Sequence, residues 1–95
     1  MALTIVKFVF PTGSEQNFIG NEVEERWEIT GDGVGGAPVL KPKRLKKIDR
    51  VEINANDGTG IAYAIDNTVP QVTPTIPAGI AANEKVYITV RGPFA

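Results

Sequence analysis

The chain has 95 residues, 42% of them hydrophobic and 22% charged, which is too few for two independent cores and too apolar for disorder. It contains neither cysteine nor histidine, which excludes disulfides, thiolate metal sites and the commonest nitrogen ligand. A net charge of -1 gives no whole-protein attraction to nucleic acid or an anionic membrane, and no apolar run approaches the roughly 20 residues that span a bilayer.

Thr4 to Phe10 is rich in β-branched and aromatic residues and stops at the turn signal Pro11-Thr12-Gly13, so it predicts a first strand. Asn21 to Glu24 could open a helix through a capping box. The alternation of Trp27 and Ile29 with Arg26, Glu28 and Thr30 favours a strand from about Glu24 to Thr30, ended by Gly31-Asp32-Gly33. Leu40-Lys41-Pro42-Lys43-Arg44-Leu45 suits a single helical turn, with Leu40 and Leu45 packing inward. From Lys47 to Ala55 a two-residue period sets Val51, Ile53 and Ala55 on one face, and Asn56-Asp57-Gly58 then turns the chain. The expected hairpin partner is Ile61 to Asp66. Prolines 70, 74 and 77 cannot donate in a sheet interior, so residues 69–80 read as a long apolar loop or an edge segment. Lys85 to Arg91, with Val86, Ile88 and Val90 on one face, is the last strand.

The fold class expected is all-β: a small antiparallel β-sandwich or barrel of about five or more short strands, with at most one short helical turn. One domain spans 1–95, with extended termini. Trp27, Val51, Ile53, Ile65, Ile88 and Val90 are its expected core. The N-terminus lacks the basic flank and long apolar stretch of a signal peptide, so synthesis in the cytoplasm is expected.

Charge is unevenly placed. Residues 22–32 carry Glu22, Glu24, Glu25, Glu28 and Asp32 against Arg26, a net of -4; residues 41–50 carry Lys41, Lys43, Arg44, Lys46, Lys47 and Arg50 against Asp49, a net of +5. The expectation is an electrically two-faced surface. With one serine, no histidine and no cysteine, no serine or cysteine triad can be assembled. Glu24, Glu25 and Glu28 could in principle supply paired carboxylates, but neighbours on a strand face opposite ways, so a solvated acidic edge is the better reading. Gly31-Asp32-Gly33-Val34-Gly35-Gly36 matches GxGxxG, but no helix follows and no βαβ unit surrounds it, which makes it a loop. Asn54, Asn56 and Asp57 offer oxygens without the further carboxylates of a calcium loop, and read as a turn. No cofactor and no metal is expected. The basic run is a solvated face first, a protein-binding patch second and a nucleic-acid surface last, because no aromatic residue interrupts it to stack on bases.

The order of a strand ending Trp27-Glu28-Ile29-Thr30, a Gly-rich break, the Leu-x-Pro-x-x-Leu segment Leu40 to Leu45 and the strand Lys47-Ile48-Asp49-Arg50-Val51-Glu52-Ile53 resembles small virion proteins of tailed phages. The closing Val86 to Gly92 resembles their last strand. The likeness covers roughly 24–66 and 85–92; the chain departs from it in its heavier acidic stretch, Glu22 to Glu28, and its proline-rich segment 69–77.

The resemblance implies a non-enzymatic decoration or cement protein on the capsid of a virion, binding the major capsid protein and neighbouring copies of itself, with no membrane and no nucleic acid as partner. A small core without cross-links also favours a multi-copy assembly, since partner contact adds stability. The expected contacts are Lys41, Lys43, Arg44, Lys46 and Lys47 of the basic patch, Val69, Val72, Ile76 and Ile80 of the apolar segment, and the ends of the chain, Ala2 to Thr4 and Pro93 to Ala95 with Phe94. A small β-barrel that binds nucleic acid through 41–50 is the alternative.

Overall fold

Alternation of apolar and polar residues lets a strand bury one face, and the longest alternating run is the spine of this fold. The computed structural model describes residues 3–56, 58, 60–78, 80 and 83–93. Among them are seven strands and no helix: β1 (Thr4–Lys7), β2 (Asn17–Ile19), β3 (Glu22–Thr30), β4 (Arg50–Ala55), β5 (Ala62–Asp66), β6 (Gln71–Thr75) and β7 (Lys85–Pro93).

Five strands form one antiparallel sheet. Its order is β1-β3-β7-β4, and β2 also pairs with β3. Strand β7 takes one edge of β3 along its whole length, from Glu22 opposite Pro93 to Thr30 opposite Lys85. The other edge is shared end to end: β2 pairs with Glu22 to Glu24 and β1 with Trp27 to Thr30. Strands β5 and β6 make a second, two-stranded antiparallel sheet. Beyond β6 the chain around 36–40 adds an irregular third line, with Gly36 bridging Ile76 and Leu40 bridging Val72 through bonds of 2.7 to 3.0 Å. Gly35 stands at φ +90°, and a Cβ there would run into the Ile76 carbonyl, so the Gly-rich break is a close backbone crossing.

The core lies between the two sheets. The large sheet contributes Val23, Trp27 and Ile29 from β3 and Val86, Ile88 and Val90 from β7; Leu40, Leu45, Ile48, Val72, Ile76 and Ile80 close on them from the other side. The shortest dimension, 22 Å, suits two layers packed about 10 Å apart with outer side chains on each. This is the sandwich form of the expected all-β class, with one layer much smaller than the other.

Several local expectations are corrected. The Gly58 amide bonds back to the Ala55 carbonyl at 3.0 Å, and Asp57 lies outside the described residues; β4 does not pair with β5. It pairs with β7, where Val51, Ile53 and Ala55 stand opposite Val90, Ile88 and Val86. Strand β5 pairs with β6 instead, so Gln71–Thr75 of the proline-rich segment form a strand with Val72 and Pro74 buried, in place of a long loop. Leu40 and Leu45 do pack inward, at 3% and 5% exposure, without a helical turn between them. Of the expected core, Trp27, Ile88 and Val90 are buried and Val51 and Ile53 pack against the core half-covered, whereas Ile65 is 41% exposed.

Ile88→Ala should therefore cost about 2 to 5 kcal/mol, the cost of a core cavity, and Ile65→Ala less than about 1. Urea unfolding of both variants checks the difference; equal losses would place Ile65 in the core after all.

Candidate functional site

Glu25 points into the core. It shares the inward face of β3 with Val23, Trp27 and Ile29, and its side chain is 0% exposed. A buried carboxylate must be paired and hydrogen-bonded to persist. Lys7, the cross-strand partner of Trp27 on β1, places its ammonium 2.5 Å from Oε1 and 4.2 Å from the centre of the Trp27 ring. The Lys43 amide donates to Oε1 at 3.0 Å and the Arg44 amide to Oε2 at 2.9 Å. Burial pushes the carboxyl upward, but Lys7 and the two amides outweigh it and hold the group below its ordinary value of 4.5.

No helical turn forms around Lys43 and Arg44, whose amides are bonded to the Glu25 carboxylate. These bonds fix the basic segment to the sheet. Farther along, the Lys46 amide donates to the Pro93 carbonyl at 2.8 Å and the Asp49 amide to the Arg91 carbonyl at 2.9 Å. The chain there lies so close to β7 that a Cβ on Gly92 would collide with the Lys47 carbonyl. Asn67 completes the attachment, accepting from the Ile48 amide at 2.8 Å and donating to the Ile48 carbonyl at 3.3 Å. With the backbone pinned and Leu45 and Ile48 buried, the side chains of Lys41, Lys43, Arg44, Lys46, Lys47 and Arg50 are all left at the surface. Lys43 meets Glu15 at 3.1 Å and Lys47 meets Asp49 at 3.5 Å, both exposed pairs worth little.

The acidic segment is not the solvated face expected of it. Glu24 and Glu25 do face opposite ways, yet both are buried. On the outer face Glu24 takes Arg91 at 2.5 Å and Arg26 at 3.6 Å, and Glu28 takes Lys85 at 3.3 Å. Bonding to Glu24 raises the pKa of Arg91, against the opposing effect of burial. Arg26 also bonds Thr89 Oγ1 at 3.0 Å and lies over Phe8 and Phe10, at 5.0 and 5.5 Å from their ring centres. Three of the five acidic side chains of 22–32 are thus neutralised within the sheet, and the electrical asymmetry that reaches the surface is positive.

Val72, Ile76 and Ile80 are 0 to 2% exposed, which corrects their assignment as contact residues; a partner cannot touch side chains that form the core. Val69 is at the surface. Phe94, Ala2 and Ala95 lie outside the described residues, while Thr4 and Pro93 belong to β1 and β7. An aromatic neighbour of the basic run, missed in the sequence, comes from elsewhere: Phe18 of β2 is 51% exposed, and the Arg44 guanidinium stands 6.0 Å from its ring centre. Asp32 of the Gly-rich break caps its own loop, accepting from the amides of Val34 and Gly35 at 2.8 and 2.9 Å, and those bonds hold its pKa low. Among the described residues there is no pocket and no cluster of acidic side chains that could hold a metal ion, and no helix crosses a membrane. The chain matches no protein-family model, no curated protein and no solved structure.

Glu25→Ala should cost about 3 to 5 kcal/mol, because it strands the Lys7 ammonium and two amides. A carboxyl whose folded pKa is depressed stabilises the fold fully above its unfolded value and loses that contribution as pH falls through the folded one. Acidification below about 4.5 should therefore lower the urea midpoint of the native protein more steeply than that of Glu25→Gln. Parallel pH profiles would show that Glu25 is not ionised in the folded state.

Proposed function

We propose that the protein is a non-enzymatic virion structural protein, a capsid decoration or cement protein that binds between major capsid subunits and stabilises the head. The observation that carries the reading is the basic segment 41–50, held to the sheet by Glu25 and by β7 so that its cations project from a fixed backbone. A pre-ordered charged surface loses little conformational entropy on docking, and against an acidic protein surface it sets orientation and register. The sequence order shared with small tailed-phage virion proteins supports the same reading. Each copy needs only a modest contact, because many copies act together on one shell.

A second reading has Phe18 and Arg44 in its favour: an exposed ring beside a basic loop is the combination that stacks bases and neutralises phosphates. Net charge opposes it.

One triple variant separates the two. Lys41→Glu, Lys46→Glu and Lys47→Glu are all exposed and leave the amides on Glu25 in place. Binding to purified heads of the encoding phage should weaken about 100-fold or more, since like charges set face to face cost several kcal/mol. Unchanged head binding would remove the basic segment from the contact. Binding to DNA instead, falling by roughly 0.9 log units per log of salt for each phosphate neutralised, would favour the second reading.

A further inference from the structure

We propose that β5 is a self-association edge, on which a second copy of this chain docks its own β5 antiparallel about a two-fold axis. The inference stands apart from the capsid reading, since it concerns copies free in solution.

An exposed strand edge is normally protected by charge, by proline, by a bulge or by brevity. Strands β1 and β2 are four and three residues long, and the outward face of β4 carries Arg50 and Glu52. Strand β5 has none of these protections from Ala62 to Ile65. All five of its residues are exposed, Tyr63 at 46% and Ile65 at 41%, although both lie on the inward face opposite Pro74 and Val72. Among the described residues only β6 pairs with it, and β4 never comes within 8 Å of it, Cα to Cα.

Backbone direction gives the edge its chemistry. Val72 spends its amide and carbonyl on Leu40, and Ile76 spends its own on Gly36, on the side of β6 away from β5. Alternate residues of an antiparallel pair bond to the same side, so β5 and β6 are bonded through Ala62, Ala64 and Asp66, and Tyr63 and Ile65 aim their amides and carbonyls at the free edge. A two-fold pairing centred on Ala64 uses those groups. Tyr63 of each copy faces Ile65 of the other in a hydrogen-bonded pair, which makes four bonds. Ala64 meets Ala64 in the closer, non-bonded pair, where small side chains fit, and Ala62 meets Asp66, so no like charges oppose. The aromatic and β-branched side chains then lie side by side, a favourable cross-strand combination. Centring β4 on Glu52, by contrast, sets two carboxylates face to face. A five-residue pairing buries less than the roughly 1,600 Å² of a stable interface, so the dimer is weak alone and grows where copies are concentrated.

The test is sedimentation of the full chain from about 10 μM to 1 mM, alone and with charge swaps at the exposed axis residue. The wild type should shift from monomer to dimer over that range. Ala64→Lys and Ala64→Glu should each remain monomeric, and an equimolar mixture of the two should dimerise again. Ile65→Pro, which removes an outward amide and no β5–β6 bond, should be monomeric at unchanged melting temperature. A wild type that stays monomeric at 1 mM, or a dimer indifferent to Ala64→Lys, overturns the proposal. So does protection of the Tyr63 and Ile65 amides that arises only on phage heads, because that would assign the edge to a capsid strand.

Discussion

The Glu25 carboxylate is the constraint on which the rest of this small structure depends. A charge placed inside a β-sandwich costs several kcal/mol unless every lone pair is met, and here the partners come from two distant parts of the chain. Lys7 belongs to an edge strand, Trp27 lies under its ammonium, and Lys43 and Arg44 belong to a segment with no regular structure. Meeting that one demand joins the edge of the large sheet to the loop that closes over it. Leu45 and Ile48 can then bury themselves on the same face without help from a helix.

The consequences reach the surface. Because Glu24, Glu25 and Glu28 are all satisfied internally, the stretch with the most negative charge contributes structure, and the stretch with the most positive charge remains facing outward. A domain of net charge -1 can thereby present a positive patch. The arrangement also separates roles along the basic segment: its amides, with Leu45 and Ile48, hold the fold, while its long side chains are available to a partner.

Much of the architecture was legible. The two-residue period gave β3, β4 and β7 and their inward faces, because that signal is local. Pairing is not local, and there the reading failed. The turn after β4 suggested β5 as its neighbour, yet β4 lies beside β7, whose Val86, Ile88 and Val90 complete its apolar face. Prolines hid β6. Pro74 is tolerated there because its missing amide would have pointed between the Leu40 and Gly36 bridges, toward Pro38, where no bond is made. The alternation correctly turned Glu24 and Glu25 to opposite faces, but nothing near Glu25 in sequence announces a lysine eighteen residues earlier and two amides eighteen and nineteen residues later. The basic patch was readable as charge; its fixed backbone was not.

Amide hydrogen exchange at Lys43 and Arg44 tests most directly whether one buried carboxylate holds the basic segment in place. Both residues have exposed side chains in a loop, where amides ordinarily exchange quickly. Protection within about tenfold of the β3 and β7 amides, lost in Glu25→Gln while those strands stay protected, is the result expected. Exchange of both amides as fast as an open loop in the wild type would contradict it, and the basic side chains would then hang from a mobile segment.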